Sequence, residues 1–229
     1  GGIAVALISR YLFRQREGHG IVDVMESVMR AGGIISPISA GEKILTSAIT
    51  IGSGGSAGAE GPIVQIGAGI ASGIAQLFRL SRPHFPVLIG CGSAAGISAI
   101  FNSPLGGLLF TLEVILRDFS LRTLTPLVIA SVIANFATRA IFHTVLHQDF
   151  PALFHMPPNI QVAGYSMASV GNLIVLGIAC GVAGVSMSKL MEVTERTFER
   201  LKLSPLLKPA LGGALLGVLG IIYILIFGH

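Results

Sequence analysis

The stretch Gly52-Ser53-Gly54-Gly55-Ser56-Ala57-Gly58-Ala59-Glu60-Gly61-Pro62 decides how this chain folds. It interrupts an apolar region: residues 44 to 78 carry a single charged side chain, Glu60. A carboxylate inside such a region costs several kcal/mol unless something compensates for it, so it marks a functional site by default. Non-helical backbone at membrane depth is tolerated only where it packs in protein or lines a polar cavity. Pro62 suits the first turn of a new helix, where its missing N–H removes no bond. The segment therefore reads as two half-helices meeting within the membrane, with Glu60 and several free N–H groups at the start of the second.

Outward from the break, the composition is that of an integral membrane protein. The chain is 52% hydrophobic and only 11% charged, with a mean hydropathy of +0.80, whereas a soluble domain is about 25% charged. Apolar segments long enough for membrane helices, without the period-two alternation of barrel strands, predict an all-α bundle. Thirty glycines and eleven prolines suit helices that pack closely, tilt or break. Helical runs are expected to Phe13, over Ile21 to Ala31 (amphipathic), Glu42 to Ile51, Pro62 to Phe78, Pro86 to Phe101, Leu105 to Leu116, Leu124 to Val145, Ala168 to Met191 with a tail to Leu201, and Leu207 to Phe227. A turn is expected at Asn102-Ser103-Pro104, and no soluble domain is visible. Residues 1–229 read as one transmembrane domain.

The net charge of +4 follows topology and gives no nucleic-acid signal. Arg10, Arg14 and Arg16, then Arg79 and Arg82, then Arg117 and Arg122, then Lys189 to Lys208 form basic clusters, while residues 143 to 166 contain no Lys or Arg. The positive-inside pattern places the clusters in the cytoplasm and the 143–166 loop opposite. Cys91 and Cys180 lack metal-ligand spacing and read as inert buried thiols. No cofactor or metal is implied. The chain starts Gly1-Gly2 and ends in an apolar run, which reads as a fragment at both ends.

A phosphate-binding loop would need a lysine where Glu60 stands. A purely structural kink would not need the carboxylate. A helix N-terminus carries roughly half a positive charge and unpaired donors, which makes it an anion site. A tethered carboxylate can occupy that site and swing away when a mobile anion or a proton competes, which is the behaviour of a gate. Gly18-His19-Gly20 before the helix from Ile21, and the Pro104 restart after Gly90 to Asn102, look like the same device, and broken helices aimed at the midplane are typical of transporters and channels. An anion path built from helix ends also avoids the tight binding that fixed Lys or Arg would impose.

These motifs resemble the CLC family of chloride channels and anion/proton exchangers. Gly52 to Pro62 resembles its G-R-E-G-P region, Ile63-Val64-Gln65-Ile66-Gly67 its continuation, and Gly92 to Glu113 its G-x-A-A-G-x-x-A-x-F-N-x-P-L-x-G-x-L-F-x-x-E stretch. The resemblance implies a bundle of tilted and broken helices from an inverted-repeat architecture, incomplete here: about 1–145 would be most of the first repeat and about 166–229 the start of the second. It further implies chloride or a similar small anion as substrate, a multi-pass protein of the plasma (inner) membrane embedded in lipid, and a homodimer with one pathway per subunit. Glu60 would be the gating glutamate. N–H groups around Gly58, Ala59, Glu60 and Gly61 would form the outer anion site, and His19 and Gly20 would stand at the family's G-S-G-I-P loop.

Three positions depart from the pattern. Ala59 replaces the arginine before the gate, His19 the serine and Val22 the proline. A serine hydroxyl donates one hydrogen bond, whereas imidazole can be a donor or a cation, and His19 equally suits a helix cap that touches no anion. Exchangers of the family carry a second, proton-accepting glutamate after the one matched by Glu113, and here that position is Val114. The expectation is therefore a passive channel, with proton-coupled exchange as the alternative, and Glu113 as a structural or proton-path acid. No enzyme is expected; a Ser56 dyad with His143 or His147 would make an intramembrane serine protease, but no histidine helix motif supports it.

Overall fold

In the computed structural model of the chain, residues 1–9, 20–30, 32–148, 167–200 and 207–227 are described. Every regular element among them is helical: α1 (Gly2–Ile8), α2 (Ile21–Arg30), α3 (Pro37–Gly52), α4 (Glu60–Leu77), α5 (Phe85–Phe101), α6 (Pro104–Phe110), α7 (Leu121–Val145), α8 (Met167–Arg200) and α9 (Leu207–Phe227). A 3-10 turn at Arg82–His84 leads into α5, and a π-helical turn at Thr111–Leu116 continues α6. The chain divides into two compact units, Gly1–Leu153 with Pro209–His229, and Phe154–Lys208. The all-α membrane class is as expected. Among the described residues, four helical stretches are long and apolar enough to cross a membrane: Arg82–Phe101, Leu121–Val145, Ser169–Phe198 and Leu207–Phe227.

Local chemistry sets the ends of the helices. α3 begins at Pro37, five residues before the expected Glu42, because Ser36 caps it: the Ile38 N–H donates to Ser36 Oγ at 3.3 Å and Pro37 occupies the first turn. Such a cap is worth about 1 kcal/mol. α4 starts at Glu60, which puts Pro62 third in the helix, still in the turn whose N–H groups have no intrahelical acceptor. α5 stops at Asn102, held left-handed at φ 53°, a conformation that asparagine tolerates better than most residues.

The core of the first unit lies between α2, α4, α5 and the π turn, around Val24, Val64, Ala68, Ile89, Ile97 and Ile115. A second cluster joins Ala94, Leu108, Leu112 and Leu127. α4 and α5 touch backbone to backbone at Gly67 and Gly92, where a Cβ on either would strike the other's carbonyl oxygen. Small residues at membrane helix contacts permit this approach. The 33–36 link is tied to α4 by three bonds: Ile35 N–H donates to Ser72 Oγ (2.9 Å), Ser72 Oγ donates to the Gly33 carbonyl (3.2 Å), and Gln76 Nε2 donates to the Ile35 carbonyl (2.9 Å).

Short connections place Arg79 and Arg82, between α4 and α5, at the same end of the bundle as Arg117 and Arg122, which precede or open α7. That agrees with one charged face. Residues 149–166 and the cluster of Arg10, Arg14 and Arg16 lie outside the described residues. Cys91 is partly buried, but Cys180 is exposed on α8. The expectation of a buried thiol fails there, because none of the apolar window of α8 is buried within this chain.

Candidate functional site at the start of α4

No side chain caps α4. Ala59, at its N-cap, has no polar atom beyond the backbone, Pro62 has no N–H, and the first bond of the helix runs from the Ile63 N–H to the Ala59 carbonyl at 3.0 Å. The N–H groups of Ala59, Glu60 and Gly61 are left without acceptors among the described residues. Together with the helix dipole they form an electropositive tip. Glu60 is exposed, and its carboxylate makes no hydrogen bond or ion pair among the described residues. It folds back over Gly58, occupying the space that a Cβ there would take. The carboxylate thus stands beside the tip with nothing holding it.

A second helix start meets the first. Gly20, at φ 67°, precedes α2, and a Cβ on it would lie 3.5 Å from the Gly61 Cα. Two N-termini therefore converge on one point. Next to them opens a cavity of about 1350 Å³, with Gly20, Gly58 and Gly61 in its wall, while Ala59 and Glu60 are not part of that wall. Glu60 stands at its rim, through the contact with Gly58. His19 lies outside the described residues.

The other residues singled out from the sequence are placed apart from this point. Glu113 is exposed on the π turn. Val114 beside it packs against the main core with Val24 and Val64. The restart at Pro104 does not repeat the α4 device. Ser103 Oγ accepts from the Gly106 N–H at 3.2 Å, and the Ser103 carbonyl accepts from the Gly107 N–H at 3.0 Å. That tip is capped by a side chain, as the start of α4 is not. Ser56 forms no hydrogen bond with His143 or His147 among the described residues.

One element of the wall escaped the reading of the sequence. Ser39, Glu42, Lys43, Thr46, Ser47 and Thr50 lie along one face of α3 and all line the cavity. Their spacing of three and four was a legible signal, a polar stripe on an otherwise apolar helix. Opposite, Gln65 of α4 enters the same wall.

Comparison with known proteins bears on what such a site does. The family model described as voltage gated chloride channel matches residues 1–229. A ClcB-like chloride channel protein of Ralstonia nicotianae is 30% identical over 96% of this chain and 50% of its own length. The voltage-gated ClC-type chloride channels ClcB of Escherichia coli O9:H4 and of Shigella boydii serotype 18 are each 32% identical over 100% of this chain and 53% of their own. No solved structure matches. The chain spans about half the length of the curated relatives it matches. With its family model covering the whole sequence, and its broken, uncapped α4 where the G-R-E-G-P region falls, this chain belongs to the CLC family of voltage-gated chloride channels, multi-pass proteins of the membrane.

Proposed function

We propose that the protein of which this chain is part conducts chloride or a similar small anion passively through a pathway gated by Glu60. The single observation that carries the reading is the tip of α4: three N–H donors without acceptors, and a carboxylate beside them with no partner of its own. When the carboxylate occupies the tip, an anion is excluded; when it is protonated or turned away, the donors of Ala59, Glu60 and Gly61 receive the anion. Gly20 and Gly58 let backbone approach that point without side chains in the way, and His19, next to Gly20, adds a donor or a cation. Passive conduction is preferred because Val114 carries no proton.

Ala59 leaves the approach to the tip without the arginine of the family pattern, so attraction of the anion rests on backbone dipoles. The broad apolar faces, including Leu105, Leu109, Ile133 and Phe136, all exposed, suit a homodimer set in the lipid of the plasma membrane. Chloride efflux from vesicles holding the full-length protein tests the gate. Glu60→Gln, which mimics the protonated acid, is expected to raise flux and remove its dependence on pH at that residue. Unchanged flux and an unchanged pH profile would refute the assignment. Uphill chloride movement driven by an imposed proton gradient would replace the channel by the exchanger.

A further inference from the structure

Two links at one end of the first unit set arginines among apolar side chains: Phe78-Arg79-Leu80 and Arg82 after α4, and Arg117 with Phe119-Ser120-Leu121-Arg122 at the approach to α7. Packing brings both links to the foot of α5. A Cβ on Gly90 would lie 2.6 Å from Leu116 Cδ1 and 3.4 Å from Leu127 Cδ1, so the end of the π turn and the early part of α7 meet α5 at one level. Arg117 follows Leu116 directly. Arg122 lies about 7.5 Å from Leu127 towards the same end, at roughly 1.5 Å per residue. Arg82 leads into α5, its guanidinium carbon 5.8 Å from the centre of the Phe85 ring.

All four arginines are exposed, and no guanidinium among them makes an ion pair or a hydrogen bond among the described residues. The one carboxylate in these links, Asp118, is engaged by Ser120 and Thr123. Phe78, Leu80, Phe119 and Leu121 are exposed as well. Cations interleaved with large apolar side chains suit a boundary where hydrocarbon and negative charge meet.

Two of the arginines are held at a cost to the backbone. α4 ends in a Schellman turn, in which the Leu80 N–H donates to the Ala75 carbonyl (3.0 Å) and the Arg79 N–H to the Gln76 carbonyl (3.1 Å). Its left-handed residue is Arg79, at φ 51°. Arg117 closes the π turn at φ 53°. Glycine is the usual occupant of such a position. A basic residue inside the last turn would answer the helix dipole without that strain, yet neither element has one. The charge is set instead just beyond each end, where it faces outward.

We propose that this face binds the phosphate headgroups of anionic phospholipid, with the guanidinium groups on phosphate oxygens and Phe78, Leu80, Phe119 and Leu121 in the acyl boundary. Arginine's planar fork matches phosphate geometry, and the positive-inside pattern places this end at the cytoplasmic leaflet. A soluble phosphate offers the same oxygens but covers none of the apolar side chains. The site is separate from the α4 tip and does not rest on the proposed conduction.

Full-length protein carrying Phe78→Trp, in nanodiscs of phosphatidylcholine with a minority of phosphatidylglycerol, tests this through quenching by brominated acyl chains. Bromine on phosphatidylglycerol is expected to quench the added emission several-fold more than bromine on an equal amount of phosphatidylcholine, and the preference to shrink as salt is raised. Arg82→Gln and Arg122→Gln are each expected to lower the preference by up to about fivefold, and the corresponding lysine variants to keep part of it. Arg79→Gly and Arg117→Gly relieve the left-handed positions. They are expected to raise the melting temperature in neutral detergent while lowering the lipid preference, a pairing that a merely structural role would not give. Equal quenching by the two lipids, or a preference untouched by the glutamine and glycine variants, would overturn the proposal. So would displacement of the lipid by inorganic phosphate at constant ionic strength, which marks a soluble anion as the occupant. Glu60→Gln is expected to leave the preference unchanged, so failure of the gate and failure of this site are told apart.

Discussion

Two of the helix breaks among the described residues, Ser53 to Ala59 and Asn102-Ser103, are built in opposite ways. At the second, side chains tie the break down. Asn102 Oδ1 accepts from Asn135 Nδ2 (2.9 Å) and Arg139 Nε (2.8 Å), Ser98 Oγ donates to the Ser131 carbonyl (2.7 Å), Ser131 Oγ donates to the Pro104 carbonyl (2.5 Å), and Ser103 caps α6. At the first, Ser53 Oγ donates to the Thr50 carbonyl (3.1 Å) at the end of α3, but no side chain caps α4, and its tip stays open. A break closed by its own side chains fixes a fold. A break left open holds its polarity available for something that arrives from outside.

The comparison is most directly broken at Asn102. Asn102→Ala removes an acceptor shared by two donors and puts alanine at a left-handed position, so a loss of about 2–3 kcal/mol of stability is expected, read as a lowered melting temperature of detergent-solubilised protein. Chloride flux per folded molecule is expected to hold. A large loss of flux without loss of stability would mean that this break, too, serves transport. Ser103→Ala, which deletes one cap, is expected to cost about 1 kcal/mol, again with little effect on flux.

Gly58→Ala should do the reverse. The added methyl occupies the place of the Glu60 carboxylate, which must swing off, so the flux and its pH profile are expected to change while stability moves by less than about 1 kcal/mol. Unaltered gating in a correctly folded Gly58→Ala protein would dissociate the carboxylate from that position. The smallest effect is expected at the arginine-bearing end of the bundle, in the link between the π turn and α7. Asp118 accepts from the Thr123 hydroxyl, the Ser120 N–H and the Ser120 hydroxyl, which hold its carboxyl below the ordinary carboxylate value. Its folded pKa is depressed, so the stabilisation is present above the unfolded value of about 3.9 and is lost as pH falls through the lower folded one. Asp118→Asn should flatten that acid limb of a melting-temperature profile and leave neutral pH nearly unchanged.

Much of this was legible in the residues. Apolar runs gave α9 at its observed limits, and the positions of α2, α5 and α8 to within a residue or so, because length and hydropathy alone decide such helices. Glycine, serine and proline marked both breaks. What they did not mark was the difference between the breaks, since that depends on Ser131, Asn135 and Arg139 arriving from α7, far along the chain. The start of α3 was missed because Ser36-Pro37, a cap followed by a first-turn proline, precedes an apolar run that begins only later. Glu42 and Gln65 were overlooked for a similar reason: each looks like an ordinary polar residue until the fold sets both on one cavity wall. The coming together of Gly20 and Gly61 depended on tertiary packing of α2 against α4, which no local pattern encodes.

The crossing of Gly67 over Gly92 has a mechanical consequence. With carbonyl against backbone and no side chain between them, the two rods have no soft layer in which to shear, and a slide or roll of either would drive main-chain atoms into each other. Any opening at the head of α4 must then be made by torsions within the acidic side chain, over a scaffold that stays still.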